Sequence, residues 1–465
     1  MPRPGACARL TPPGRARDGG RTTNGMGEVI EPDQARTGRV TAALGRARPG
    51  VLGLYAIAAA FTTYFCMYAF RKPFAAAEYE GLKLWGTAFD AKTAYVIAQI
   101  VGYTISKFVG MKVCSEIGRR GRARLLVGLI LVAWGALLLF AVLPPSLKVF
   151  AIFLNGLPLG MVWGTVVLHL EGRRTSEFML AGLSCSYIIA SGMVKDVGRW
   201  LMSAHGVGDY WMPVTMGALF FPAFVVGVIL LAQIPQPSEA DMKERSKRVR
   251  MYAGDRWSFL REFFLGMLLL SGMYFFLTAY RDYRDNYGVE ILRELGLGDR
   301  AGIFTQTEVP IAFGVMVALS LLSLVRDNRM GLVLAFAIMT AGTLLMGAST
   351  WLLERGSIGG VQWMTLVGLG AYLAYVPFGS VLFDRLLAYT RFAGTAVFAI
   401  YLTDAVGYTG SVGLQVYKDF FQASSTRLEF FSALSYFMSA AGALSLIVSL
   451  VYFLRRGGEG DQSGR

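Results

Sequence analysis

The stretch YFCMYAFRKPF, Tyr64 to Phe74, closes an apolar run that begins at Val51. Two adjacent cations, Arg71 and Lys72, lie near the end of this run, and no acidic residue is beside them. A related stretch, YFFLTAYRDYR at 274–284, occurs 210 residues later and repeats Tyr, Phe, Ala and Arg at matched positions. The chain therefore repeats one helix, with its terminal arginine, in its two halves.

The composition around these stretches is that of a membrane protein, because 54% of the 465 residues are hydrophobic and only 16% are charged. About 20 apolar residues in a helix span a hydrocarbon core about 30 Å thick. The runs lack the alternation of barrel strands, so we expect an all-α fold. Twelve runs of spanning length are predicted, at 51–74, 92–113, 124–143, 148–170, 177–199, 211–233, 259–281, 303–325, 330–352, 361–383, 392–416 and 430–454.

The spacing of these runs predicts two pseudo-symmetric bundles of six helices each. We expect a disordered basic tail at 1–50, a first bundle at 51–233, a cytoplasmic linker at 234–258, a second bundle at 259–454 and a tail at 455–465. Met26 is an alternative start, and no cleavable signal peptide is apparent. Proteins built from such repeats commonly bind their substrate near the midplane, between the halves.

The net charge of +14 is explained by the distribution of lysines and arginines on the two sides of the membrane, and a nucleic-acid partner is not needed to explain it. The two tails and the even-numbered loops hold about two thirds of the 45 lysines and arginines. By the positive-inside rule, both termini are expected to be cytoplasmic in a multi-pass protein of the cell membrane. Contact with anionic lipid is the next role for the basic loops, and we expect no nucleic-acid binding.

Several function classes are disfavoured by what the sequence contains. Four cysteines and two histidines predict neither a disulfide framework nor a metal centre. The sequence shows no Walker A, Gly-x-Ser-x-Gly or other nucleotide or hydrolase signature. We therefore expect no cofactor, no enzyme activity and no transport driven by ATP on this chain.

The repeated arginine is the first candidate for a binding residue. A cation inside a membrane helix costs about 2.5 to 3.5 kcal/mol at the centre, so it usually faces the protein interior or water. If the first helix continues to Ala77, Arg71 lies one to two turns inside its outer end, and Arg281 occupies the matching place. Guanidinium forks bind oxyanions in a bidentate way, which favours an anion site between the halves. Snorkelling to the interface and internal salt bridges within RDYRDN, 281–286, are the structural alternatives.

These residues lie in motifs similar to those of the organophosphate:phosphate antiporters of the major facilitator superfamily, which include glycerol-3-phosphate and sugar-phosphate transporters. The chain resembles them in the Tyr-rich first helix that ends on Arg71-Lys72, in YTISKF (Tyr103 to Phe108) and in FLNGLPLGMVWGT (Phe153 to Thr165). A second arginine in the seventh helix matches Arg281. The resemblance is strong over helices one to five and thin over the second half.

The resemblance implies a major facilitator fold and a phosphate site with Arg71 and Arg281 as its clamp. Lys107 would be a nearby cation or part of a structural ion pair, and the substrate-binding residues would also include Lys72 and Tyr68. The helix-five histidine of the family falls on Tyr187, which can donate a hydrogen bond but carries no positive charge near neutral pH. The family's Trp-Pro-Pro is Trp-Gly-Thr here, so the substrate of this chain and the coupling of its transport can differ from those of the family.

The expected function is exchange of a phosphorylated metabolite for inorganic phosphate by alternating access, in a monomer. Asp404 and Glu308, in predicted helices eleven and eight, are the candidate coupling residues. They would serve the alternative of a proton-coupled symporter for another organic anion. A membrane sensor that binds such a ligand without transporting it is the third alternative.

Overall fold

The computed structural model describes residues 38–79, 82, 84, 90–170, 173, 176–237, 253–390, 392 and 396–462. Most of the predicted basic tail, both alternative start residues and most of the predicted linker lie outside these ranges. Within the described ranges, the secondary-structure elements are all helical.

Twelve long helices make up the fold, in agreement with the predicted all-α architecture. Among the described residues, eleven spans are long and apolar enough to cross a membrane, and α11, which carries Asp404, Lys418 and Asp419, is the twelfth long helix. In α4 and α12 the span consists of two helical segments. The helices are α1 (Pro49–Arg71), α2 (Ala91–Glu116), α3 (Arg119–Val142), α4 (Pro145–Leu159 and Val162–Leu170), α5 (Ser176–His205), α6 (Met212–Ala232), α7 (Phe264–Asn286), α8 (Ile303–Ser323), α9 (Asn328–Glu354), α10 (Gly360–Ser380), α11 (Ala396–Phe421) and α12 (Arg427–Phe437 and Ala443–Gln462).

Helical structure occurs at three places where the sequence predicted tails or a linker. Arg39–Arg46 is helical, which corrects the expectation of disorder through residue 50, because the segment buries Leu44 and leaves its basic residues exposed. Ala253–Glu262 forms a helix across the predicted end of the linker. At the other end of the chain, α12 continues through most of the predicted tail.

Helix α1 ends earlier than predicted. It stops at Arg71, and a short 3-10 helix follows at Pro73–Ala76. Proline has no backbone N–H to continue the helix, and its ring disfavours helical backbone at the residue before it. Arg71 is therefore at the end of the helix, although the segment that follows it is fully buried.

The helices alternate in direction, so the bundle has two ends. The end at which α1 begins and α12 finishes is called the terminal side here, and the opposite end is the far side. Buried hydrophobic side chains form two large clusters, one mainly from residues 56–234 and one from residues 259–453. Each half thus has its own core, and polar side chains concentrate where the halves meet.

Helices α2 and α4 approach unusually closely, because glycines line the contact. A Cβ atom at Gly156 would lie 2.4 Å from the carbonyl oxygen of Gln99, and one at Gly160 would lie 2.5 Å from that of Tyr103. Small residues allow helix backbones in membranes to pack at this distance. The contact fixes Gln99 and Tyr103 in the first half, and both of them contact Arg71.

Candidate functional site

The carbonyl groups at the end of α1 are satisfied by two buried amide side chains, and these position Arg71. Gln99 donates to the carbonyl oxygen of Arg71 at 2.6 Å and to Asn155 Oδ1 at 2.8 Å. Asn155 donates in turn to the carbonyl oxygens of Phe70 and Ala133, both at 3.0 Å. A helix end buried away from water needs such partners for its last carbonyls. The FLNG segment of α4 therefore acts, through Asn155, as a cap for α1.

The side chain of Arg71 is buried, with only 5% of its surface exposed. Its guanidinium carbon lies 4.0 Å from the centre of the Tyr103 ring and 5.6 Å from that of Tyr68. Within the described part of the chain it forms no ion pair with a carboxylate, and its Nε has no hydrogen-bond partner. A buried guanidinium that is held only by an aromatic face has donors available for an anion.

Arg281 lies inside α7 and is partly neutralised. Its Nη2 is 2.7 Å from Asp282 Oδ1, and Ser411 donates to the other carboxylate oxygen at 2.8 Å. Its guanidinium carbon also lies 4.0 Å above the Tyr375 ring. The internal salt bridge that the sequence left open as an alternative is thus present. Arg281 keeps further donors, but it is a weaker candidate for an anion ligand than Arg71.

The two arginines share neighbours. Both lie near Tyr68 and Tyr408, and Asp282 lies near Arg71 as well as Arg281. Tyr68 comes from α1 and Tyr408 from α11. The matched arginines of the two halves therefore face a common space between the halves.

On the far side, the carboxylate of Asp285 belongs to the second half and contacts two lysines of the first half. Asp285 of α7 accepts from Lys72 and from Lys195 of α5, each at 2.6 Å, and from the hydroxyl of Ser191. Lys72 also donates to Asn286 at 2.8 Å. We call Lys72, Lys195 and Asp285 the far-side latch. Lys72, predicted to bind substrate, is engaged in this latch.

Nearer the terminal side, an ion pair between α2 and α11 also joins the halves. Lys107 contacts Asp404 Oδ2, and Tyr274 donates to Asp404 Oδ1 at 2.8 Å. The ammonium also lies 5.1 Å from the centre of the Tyr408 ring. We call Lys107 and Asp404 the terminal-side latch. The ion-pair alternative for Lys107 is therefore observed, and the partner is one of the two candidate coupling residues.

Glu308, the other candidate coupling residue, is paired within the second half. Its Oε1 lies 2.7 Å from Arg284 Nη1, and Arg284 also donates to the carbonyl oxygen of Met364 at 2.9 Å. Glu308 is 2% exposed, and its Oε2 has no hydrogen-bond partner. It contacts the first half through Gly192, where an added Cβ would lie 2.6 Å from Glu308.

Arg71 and the ion pairs described above comprise ten charged side chains, and the two halves contribute unequal numbers of positive and negative charges to this set. The first half contributes four cations, and the second contributes two cations and all four carboxylates. Among the described residues, this leaves a surplus of two positive charges in a buried region. The members are Arg71, Lys72, Lys107, Lys195, Arg281 and Arg284, with Asp282, Asp285, Glu308 and Asp404.

Tyr187 lies in an aromatic cluster beside the arginines. Its ring centre is 5.8 Å from that of Trp163 and 6.1 Å from that of Tyr372, which belongs to the second half. Tyr187 also interacts electrostatically with Arg281. The position that the family resemblance assigned to a histidine is thus close to the proposed clamp.

Three residues were not assigned their roles in the site from the sequence: Asn155, Lys195 and Asp285. The motif FLNGLPLG contains Asn155, but its capping role depends on the α1 and α2 backbones. Lys195 and Asp285 lie 90 residues apart, and nothing in their spacing pairs them. An asparagine in the middle of an apolar helix is nonetheless a signal, since a buried amide needs partners.

The two helical halves and the eleven apolar spans among the described residues define the class: this is a multi-pass membrane protein. Among the described residues, no group of three or more His, Cys, Asp or Glu is arranged to hold a metal ion.

Solved structures of transporters share the fold of this chain, which is the major facilitator fold. A crystal structure of a D-xylose-proton symporter matches with a TM-score of 0.56 and 11% identity over 87% of this chain and 97% of the other. A peptide transporter, POT, in complex with alafosfalin matches with a TM-score of 0.55 and 14% identity over 90% of this chain and 98% of the other. Both of these solved proteins are transporters. No curated protein sequence matches the chain.

A family model matches residues 73–456, which is most of the chain, and the chain belongs to that family. It is described as "Family of unknown function (DUF5690)".

Proposed function

We propose that this protein is a secondary transporter that exchanges a phosphorylated organic solute for inorganic phosphate by alternating access. Arg71 is the principal ligand of the phosphate, with Arg281, Tyr68 and Tyr187 around it. The solute and phosphate are the small-molecule partners, and the protein acts as a monomer in the cell membrane.

The observation that carries this proposal is the uncompensated charge at the interface. Arg71 has no carboxylate partner among the described residues, and the region holds a surplus of two positive charges. A buried cation is costly unless an opposite charge accompanies it. A phosphate monoester, which carries up to two negative charges near neutral pH, would balance this surplus.

The two latches support alternating access around this site. Residue order along α2, α7 and α11 places Lys107 and Asp404 nearer the terminal side, and Asp285 nearer the far side, than the arginines. Opening toward either side requires one latch to break while the other holds. Both latches are closed in this structure, so it corresponds to an occluded arrangement.

The function is tested with the full chain in proteoliposomes that contain radiolabelled phosphate. Efflux should accelerate when unlabelled phosphate or a phosphate ester is added outside, because an exchanger needs a counter-substrate. Saturable phosphate binding without any flux would contradict exchange and would indicate the sensor alternative.

A proton-coupled symporter is the second candidate, and the Lys107–Asp404 pair is the observation that favours it. A carboxylate that joins the halves next to the substrate site can couple its protonation to their separation. In this case an imposed pH gradient would drive net anion uptake with no phosphate inside the vesicles. Asp404→Asn should abolish that pH-driven uptake, whereas a pure exchanger shows no such uptake to lose.

Orientation is tested with two cysteines at the ends of α9, in a chain without its native cysteines. Arg326 and Ser357 lie in exposed turns on the terminal and far sides, respectively. We expect an impermeant thiol reagent to label Ser357→Cys in intact cells and Arg326→Cys only in inside-out vesicles. The reverse pattern would show that the termini are not cytoplasmic. Native Cys114 is a poorer reporter, because it is half-buried and its thiol lies 3.6 Å from the Thr165 hydroxyl.

A further inference from the structure

Three aromatic side chains of the first half form a compact cluster between the bundles. The ring centres of Tyr64 and Trp163 are 5.0 Å apart, and Tyr187 lies 6.4 Å and 5.8 Å from them. All three pairs meet edge to face, at interplanar angles of 64° to 79°. We call Tyr64, Trp163 and Tyr187 the aromatic triad. Tyr372 of α10 approaches the triad from the second half, 6.1 Å from Tyr187.

The triad lies beside the proposed anion site. Tyr64 is seven residues before Arg71 on α1, which places both on one face of the helix, and Tyr68 lies between them, 5.8 Å from Tyr64. Tyr187 also lies near Arg281 and Tyr68. A solute held by the arginines would therefore have its uncharged part next to these rings.

The triad lacks the cation that several other tyrosine rings carry in the described part of the chain. Tyr103 and Tyr375 each have an arginine 4.0 Å from the ring centre, and Tyr210 has Lys148 at 3.9 Å. Within the described ranges, no lysine or arginine lies over Tyr64, Trp163, Tyr187 or Tyr372. Trp163 is also only partly buried, although it lies deep within a span. Among the described residues, the faces of these rings are therefore not occupied by a cation, and Trp163 keeps part of its surface exposed.

We infer that the triad and Tyr372 form a subsite for a flat, aromatic group, so that the transported anion is an aryl or heteroaryl phosphate. This inference rests on the proposed function, and it narrows the substrate class. Rings prefer offset-stacked or edge-to-face contacts with other rings, and a saturated ring of similar size lacks this preference.

The test is calorimetric titration of the detergent-purified full chain with inorganic phosphate, phenyl phosphate and cyclohexyl phosphate. The two esters have similar size and charge, and they differ in aromaticity. We expect phenyl phosphate to bind about two- to tenfold more tightly than cyclohexyl phosphate. Equal affinities would overturn the aromatic subsite and leave phosphate binding intact. If none of the three anions binds, the proposed function itself is wrong, and the inference fails with it.

Variants locate the preference in the triad. Tyr187→Leu should bring the ratio of the two ester affinities close to one, and Tyr187→Phe should keep it, since the ring is retained. Trp163→Leu provides a second variant in case the first is poorly folded. Phe65→Leu is the matched control, because Phe65 is next to Tyr64 but packs on Phe61 and Phe220. An unchanged ratio in both folded triad variants would show that the preference, if present, arises elsewhere.

Discussion

Arg71→Lys is expected to weaken binding of inorganic phosphate by about 10- to 100-fold. Lysine keeps the charge but loses the planar fork that bonds two oxygens at once, and a charge-assisted hydrogen bond contributes about 1.5 to 3 kcal/mol. Arg71 has no carboxylate partner among the described residues, so the donors of its guanidinium are the ones that the substitution removes from the anion. Calorimetry on the purified chain measures the affinity, and exchange in proteoliposomes should fall in parallel.

Arg355→Lys is the matched control for this substitution. Arg355 also stacks on an aromatic ring, 3.8 Å from the centre of Trp351, but it is exposed on the far side.

Arg281→Lys should have a smaller effect on phosphate binding than Arg71→Lys, since one donor of Arg281 is already engaged by Asp282. The double variant should be little worse than Arg71→Lys, because both arginines would hold one anion. Near-normal phosphate binding by a folded Arg71→Lys protein would assign Arg71 a purely structural role.

Asp285→Asn is expected to open the far side of the protein. The substitution leaves Lys72 and Lys195 buried without their carboxylate, and loss of one partner of a buried ion pair costs about 3 to 5 kcal/mol. Separation of the halves on that side lets water reach both ammonium groups and relieves the cost. A bias of this size changes an equilibrium between two arrangements by more than about 100-fold.

The matched variant Asp404→Asn should open the terminal side instead, because it releases Lys107. Thiol labelling of two reporter cysteines measures both effects in a chain without native cysteines. Thr93→Cys replaces a buried residue that bonds Tyr287 across the far-side interface, and Ala181→Cys lies between the halves near the terminal side. We expect Asp285→Asn to speed labelling at position 93 by at least about tenfold, and Asp404→Asn to speed it at position 181.

An exposed ion pair serves as the control for the latches. Arg293 contacts Glu78 across the far-side interface at 2.6 Å, but its side chain is 54% exposed. Exposed pairs contribute about 0 to 1 kcal/mol, so Arg293→Gln should change the labelling rates little. Equal labelling of position 93 with and without Asp285→Asn would show that Asp285 does not hold the halves together.

The sequence by itself determined the membrane class, the helix count and the repeated arginine. These follow from local properties: the length of an apolar run needed to cross a bilayer, and the cost of a cation within it. The same reasoning singled out Lys107 and Asp404, because isolated charges in apolar helices need partners. It could not pair them, because they are 297 residues apart and the pairing depends on how α2 meets α11.

Only the tertiary structure decided which of the predicted cations are available for a ligand. Lys72 and Arg281 resemble Arg71 in sequence, but each has a carboxylate within 2.7 Å, whereas Arg71 has an aromatic face. The cause is the packing of the two halves. The second half contributes Asp282, Asp285, Glu308 and Asp404, which are the carboxylates of these ion pairs, and the first half contributes most of the cations. Electrostatic compensation depends on distances of a few ångströms between distant segments, and no local pattern in the chain records those distances.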